Sequence, residues 1–252
     1  MLAKFLKARR SPVAAPAIPP GQRIYAIGDV HGCLEQLDTL LAMIAADDRA
    51  RGDADTTTIF LGDLVDRGPA SAQVVDRVRG LMANGRTRCL LGNHEEIFLQ
   101  ALDGEASAMK LFCRIGGRET ALSYGLSERE YERLDYRELH AALDQRVPAA
   151  DRSFLGACED MIAVGDYLFV HAGVRPGVPL DQQRPSDLRW IRDAFLDHGR
   201  VLEKMIVHGH TIADTVETLP HRIGIDTGAF ATGRLTALGL EGQSRWELHT
   251  GA

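Results

Sequence analysis

Three apolar runs end in nearly the same polar turn, and this repetition constrains the fold more than any other feature of the chain. Ile24-Tyr25-Ala26-Ile27 leads into Gly28-Asp29-Val30-His31-Gly32, and Thr57–Leu61 into Gly62-Asp63-Leu64-Val65-Asp66-Arg67-Gly68. Arg88–Leu91 leads into Gly92-Asn93-His94-Glu95. A short apolar run closed by glycine reads as a buried strand. Between these runs the spacing turns helical: Leu34, Leu37, Leu41 and Ile44, then Ser71–Ala83, then Glu95–Leu102. Such alternation predicts an α/β domain with parallel strand pairs. In open α/β sheets ligands collect beyond the carboxyl ends of strands, so the three loops should converge on one crevice. One Gly-Asp is an ordinary turn, and one Asn before a helix an ordinary cap. Three in succession, each carrying His or Asp, point to a site.

The rhythm breaks over residues 103–160, which are helical in pattern and heavily charged, and which we read as a helical insertion over one sheet edge. Met161–Val164 and Tyr167–Val170, separated by Gly165-Asp166, predict a hairpin. Ser186–Leu196 reads as a single helix capped by Ser186. Lys204–Val207, Arg222–Asp226, Arg234–Leu240 and Arg245–His249 read as strands.

Composition serves mainly to exclude. In 252 residues, 29 Lys and Arg face 35 Asp and Glu, a net charge of −6 that argues against a general nucleic-acid binder while allowing a small phosphate-reading pocket. No apolar stretch is long enough for a membrane span. Cys33, Cys89, Cys113 and Cys158 form no CxxC pair, so finger and thioredoxin-like readings lack support, and we expect buried thiols in a reducing, cytoplasmic setting. Residues 1–22 are basic and then rich in Pro and Ala. They contain no signal-peptide core and read as an N-terminal extension, frayed at its start and stiffened by prolines before a domain spanning 23–252.

Histidines after two further strands add to the crevice: His171 in His171-Ala172-Gly173, and His208 and His210 in His208-Gly209-His210-Thr211. Asp29, His31, Asp63, Asn93, His171 and His210 together mix oxygen with imidazole nitrogen and include no thiolate. Such a set suits Mn, Fe or Zn better than Ca or Mg. Six ligands exceed the needs of a single open catalytic ion and suffice for two ions sharing a carboxylate.

With Gly-Asp-x-His-Gly, Gly-Asp-x-Val-Asp-Arg-Gly, Gly-Asn-His-Glu, His-Ala-Gly and Gly-His-Thr in order, the sequence resembles the phosphoprotein phosphatase branch of the calcineurin-like metallophosphoesterases, over about residues 23–240. Its size is nearest to the compact bacterial and phage serine/threonine phosphatases. The resemblance implies a β-sandwich of mixed sheets flanked by helices. It implies Asp29, His31 and Asp63 on a first metal, with Asp63 bridging to a second completed by Asn93, His171 and His210. Manganese is the first expectation, with iron or zinc as alternatives. His94 is implied as general acid, oriented by Asp66, and Arg67 as a holder of substrate phosphate. A second phosphate arginine falls in a Trp-x-Arg context that Trp190-Ile191-Arg192 matches, which selects Arg192. His208 has no assigned role and reads as a histidine packed beside the site.

The implied reaction is hydrolysis of a phosphomonoester by a metal-bound hydroxide, with a phosphoserine or phosphothreonine protein, or a small phosphoester, as substrate. The rival within the fold is cleavage of dinucleoside polyphosphates such as diadenosine tetraphosphate. The intact Asp66-Arg67 pair favours the phosphatase. A module that merely binds phosphorylated ligands would have lost a ligand or the acid, and neither is lost here.

Overall fold

The computed structural model describes residues 15–251. The chain runs β1 (Gln22–Ile27), α1 (Leu34–Arg51), β2 (Asp55–Phe60), α2 (Ser71–Met82), β3 (Thr87–Cys89), α3 (Asn93–Leu102), α4 (Ala106–Ile115), α5 (Gly117–Ser123), α6 (Glu128–Tyr131), α7 (Tyr136–Arg146) and α8 (Ala149–Gly156). It continues through β4 (Met161–Val164), β5 (Tyr167–Val170), α9 (Pro185–Trp190), α10 (Asp193–Leu196), β6 (Met205–His208), β7 (Glu217–Thr218), β8 (Arg222–Gly224), α11 (Ala229–Thr232), β9 (Thr236–Glu241) and β10 (Ser244–His249).

Two five-stranded sheets result, ordered β10-β9-β1-β2-β3 and β4-β5-β6-β8-β7. Each is mixed: β1, β2 and β3 are parallel while β9 and β10 run against them, and β5, β6 and β8 are parallel with β4 and β7 reversed. The alternation within β1 shows why the sheets stack. Ile24 and Ala26 point into a core shared with Ile162, Tyr167, Phe169, Val207 and Ile223 of the opposite sheet. Tyr25 and Ile27 point the other way, into a core covered by Leu37 and Leu40 of α1, Val74 and Val78 of α2, and Phe98 of α3. Period-two patterning with both faces apolar produces a strand buried on both sides. The outer face of the second sheet is covered by Leu188 of α9, Ile191 just after it and Phe195 of α10. The molecule is thus the sandwich of mixed sheets, flanked by helices, that the sequence implied.

Arg23 fastens one corner of this assembly. It is fully buried, and its guanidinium donates to Glu241 on β9 at 2.8 Å, to the Asp48 carboxylate at 2.7 Å and to the Gly52 carbonyl at 3.0 Å. Carbonyls at the end of α1, which have no partner within the helix, are thereby satisfied by a charge that is itself paired.

Several local expectations need correction. Ser186–Leu196 is not one helix: α9 starts with Pro185 at its first turn, after Arg184, and the chain breaks at Ile191-Arg192 before α10. Arg192 adopts φ −130° and ψ −109°, outside the helical region, so an apolar spacing compatible with one helix is split in two. The strand expected over Arg88–Leu91 is reduced to three residues, Leu90 making only an isolated bridge to Glu159. Before β1, the chain already packs: Ala17 N–H donates to Asp166 at 3.0 Å and Ile18 N–H to the Gly242 carbonyl at 2.8 Å, with Ile18 buried. The basic start of the extension, including Lys4 and Arg10, lies outside the described residues. Among the described residues no helix is long and apolar enough to cross a membrane.

Candidate active site

Every sequence-predicted site residue except Arg192 sits just beyond β1, β2, β3, β5 or β6, so the carboxyl ends of both sheets feed one crevice. Arg192 reaches it from the break between α9 and α10, its Nη1 3.5 Å from the Thr211 hydroxyl beside His210. Among the described residues, the non-glycine residues with left-handed backbone are His31, Asp63, Asp66, Arg67 and His210, all of them in this crevice. Such conformations cost on the order of 1–2 kcal/mol each and persist only where the surroundings impose them.

Glu95 supplies much of that imposition. Its buried carboxylate accepts backbone N–H groups from Asp63 at 2.8 Å, Leu64 at 2.7 Å, Val65 at 3.1 Å and Gly92 at 3.0 Å, stitching the second loop to the third. The two loops touch so closely that a Cβ on Gly62 would lie 2.6 Å from the Gly92 nitrogen, and one on Gly92 2.2 Å from Asp63 Oδ1. Only glycine fits at either position.

Asp63 stands at the centre. Its Oδ2 is 3.6 Å from His31 Nε2 and 3.9 Å from His94 Nε2, whereas its Oδ1 is 3.4 Å from His171 Nε2. His31, Asp63 and His94 form one group with metal-ligand spacing, and Asp63, His171 and His210 form another, so one carboxylate belongs to both. Asn93 Oδ1 joins the second, 2.9 Å from His171 Nε2 and 2.8 Å from His210 Nδ1. Asn93 is the first residue of α3, and its side chain faces these histidines and does not cap the helix. Asp29 reaches the loop of the second group, its two carboxylate oxygens accepting from the His210 N–H at 3.2 and 3.0 Å.

The donor set fits divalent cations. His31 Nδ1 lies 2.8 Å from the Val65 carbonyl, which fixes the ring and leaves Nε2 buried and without a partner. His210 Nε2 is likewise buried without a partner. Burial draws His31 down to about 3 and His210 down to about 2, so both are the neutral imidazoles a metal requires. Asp63, although desolvation opposes it, is held well below the usual carboxylate range by the histidines around it and stays ionised.

His94 is set between a carboxylate and a guanidinium: Nδ1 is 2.6 Å from Asp66 Oδ2 and Nε2 is 3.0 Å from Arg67 Nη2. Burial pulls its pKa down, but the Asp63 charge and the Asp66 contact outweigh burial and raise it above the ordinary value. With a carboxylate at Nδ1, this ring is well placed to hold a proton. His208 is buried, with Nδ1 3.0 Å from the Gly209 carbonyl, Nε2 3.3 Å from Arg222 and its ring against Phe195, which matches a histidine packed beside the site.

Two contributions escaped the sequence reading. Thr120 of α5 donates to Asp66 Oδ1 at 2.7 Å and accepts the Asp66 N–H at 2.8 Å, and the Gly116 carbonyl accepts the Arg67 N–H at 3.0 Å. The helical segment 103–160 therefore reaches into the crevice and seats the loop that carries Asp66 and Arg67. Glu95 stands inside a motif that was noticed, yet its brace across three loop amides is visible only once β2 and β3 are adjacent.

The calcineurin-like phosphoesterase family profile matches residues 22–226. A bis(5'-nucleosyl)-tetraphosphatase PrpE [asymmetrical] of Anoxybacillus flavithermus is 27% identical over 232 residues, covering 84% of this chain and 88% of that protein. A structure reported for a candidate diadenosine tetraphosphatase superposes with a TM-score of 0.61 at 22% identity, over 94% of this chain and 99% of that one. The cold-active protein-tyrosine phosphatase of a Shewanella species gives a TM-score of 0.53 at 19% identity, over 92% and 83%.

Proposed function

Because the chain belongs to the calcineurin-like phosphoesterase family, we propose that it is a two-metal phosphatase for esters with poor, alkoxide-type leaving groups, phosphoserine and phosphothreonine proteins foremost. The observation that carries this reading is the buried contact of 2.6 Å between His94 Nδ1 and Asp66 Oδ2. A serine or threonine alkoxide is strongly basic and must receive a proton as it departs, which is the task of a positioned acid of raised pKa. Phosphate or phosphoanhydride leaving groups need that help far less.

Asp29, His31 and Asp63 would hold a first divalent ion, and Asp63, Asn93, His171 and His210 a second, manganese being our choice. Ions bound there would supply a nucleophilic hydroxide near neutral pH and would draw charge from the phosphoryl oxygens. Arg67 turns from His94 Nε2 to the substrate phosphate, and Arg192 closes on it from the side of His210. Planar guanidiniums suit this because they donate in parallel pairs to phosphoryl oxygens. His94, relieved of Arg67, presents its Nε2 proton to the leaving oxygen while Asp66 holds the imidazolium. Thr120 keeps Asp66 aimed at Nδ1.

A second reading, hydrolysis of dinucleoside tetraphosphates, is favoured by relatives of matching length that carry that name. The two are separated by kcat/KM on a phosphoserine peptide and on diadenosine tetraphosphate, measured side by side with manganese. A value at least tenfold higher for the peptide supports the phosphatase, and the reverse ratio replaces it with the second reading.

A further inference from the structure

Asp226 follows β8 and takes no part in the assignments above. Its position is set by three backbone relations. Ile225 N–H donates to the His208 carbonyl at 3.0 Å, and the Asp226 carbonyl accepts from Ala213 N–H at 3.0 Å. On the other side, a Cβ on Gly28 would stand 2.6 Å from the Ile225 oxygen and 3.6 Å from the Asp226 Cα. Asp226 is thus wedged between the loop carrying Asp29 and the loop carrying His210. Its side chain is 3% exposed, and Oδ1 accepts the Gly228 N–H at 2.9 Å. Oδ2 is buried with no donor.

The geometry points to Asp226 as a further carboxylate for the first metal position, its free Oδ2 taking either the ion itself or a water bound to the ion. A buried carboxylate oxygen without a donor is costly, and a cation is what removes that cost. One neighbour is the Asp29 carboxyl, in hydrogen-bond contact with Asp226, and Asp63 is close enough to act on it by its charge, so carboxyls this close need either a shared proton or a cation between them. The nearest arginine in sequence, Arg222, is committed to Glu217 and His208. His31 Nε2, among the ligand atoms assigned to the first metal position, is also buried and without a partner. An orphan carboxylate in contact with Asp29 and in the field of Asp63 would bring to the first metal position more negative charge than the three assigned ligands give it.

This inference concerns metal binding and holds for either substrate class. The test is a calorimetric titration of chelator-treated full-length protein with Mn²⁺ alone, comparing wild type, Asp226→Asn and the reference variant His31→Ala. Asp226→Asn preserves shape and the Gly228 contact and removes only the charge. We expect it to weaken one of two manganese affinities by about tenfold or more, the same one that His31→Ala weakens, with the other unchanged. Wild-type affinity at both positions would overturn the proposal and leave Asp226 as a neutral hydrogen-bonding support of Asp29. Should Asp226→Asn not fold, a crystal structure of manganese-loaded wild type decides: Asp226 Oδ2 on the ion or on its water supports the proposal, and Oδ2 bonded only to the Asp29 carboxyl overturns it.

Discussion

Asp66 Oδ2 lies 2.6 Å from His94 Nδ1, both groups buried, while the opposite nitrogen of the same ring is 3.0 Å from Arg67. One imidazole therefore connects the group that would steady a proton to the group that would hold the phosphate. Removing the acid should hurt in proportion to leaving-group basicity. His94→Asn should lose about 10²–10⁴-fold in kcat on a phosphoserine peptide, far more than on p-nitrophenyl phosphate, with metal content retained. Equal proportional losses on both substrates, with chemistry rate-limiting, would falsify the general-acid assignment.

The same contact sets a pH dependence. His94 has its pKa raised above the ordinary histidine value because Asp63 and Asp66 outweigh burial, so it keeps its proton where a free imidazole has lost it. Turnover of alkyl phosphates should hold at and somewhat above neutral pH and fall as pH rises through the His94 pKa. Asp66→Asn removes one of the raising contributions, so its fall should begin at lower pH. A pH profile of kcat on an alkyl phosphate checks this, and an alkaline limb unmoved by Asp66→Asn would contradict it.

Phosphate recognition should respond to both arginines. Arg67→Ala and Arg192→Ala should each raise KM for small phosphoesters and lower kcat, since guanidiniums contact charge present in the substrate and redistributed in the transition state. Metal content should not change. Kinetics of Arg192→Ala indistinguishable from wild type would remove Arg192 from the site, and only Arg67 would remain as the phosphate holder.

Glu95→Gln tests the brace beneath the metals. The amide presents N–H groups where backbone N–H donors at Asp63, Leu64, Val65 and Gly92 converge, so it cannot accept all four. A loss of about 2–4 kcal/mol of stability is expected from the charge-assisted bonds forfeited, with weaker metal binding because the strained backbone of Asp63 is released. Denaturant unfolding of the metal-free protein reads the first effect and manganese titration the second. Unchanged stability would show that the loop holds itself.

Much of this was legible in the chain because local and global signals agree. Glycines, short polar residues and histidines after apolar runs mark the crevice, and the unbroken apolar run Ile24-Tyr25-Ala26-Ile27 closed by Gly28 marks a buried strand. What escaped depends on contacts between segments distant in sequence. Thr120 is 54 residues from Asp66, and nothing in its surroundings marks it as a partner. Asp226 resembles any Asp closing a strand until the sheet order puts β8 next to β6. The break at Ile191-Arg192 also has no sequence mark: periodicity reports which side chains can share an apolar face, and it is indifferent to a backbone that interrupts the helix to turn Arg192 toward Thr211.

Because Thr120 and the Gly116 carbonyl hold Asp66 and Arg67, residues 103–160 are not an exchangeable cassette. On the general-acid role proposed for His94, grafting the corresponding segment of another family member would also reset the aim of the proton donor, and trimming it would leave that donor unsupported. On the proposed roles, any change to this segment acts on Asp66 and Arg67 as well, so variants built there should carry compensating changes around Thr120 before they carry any at the assigned metal ligands.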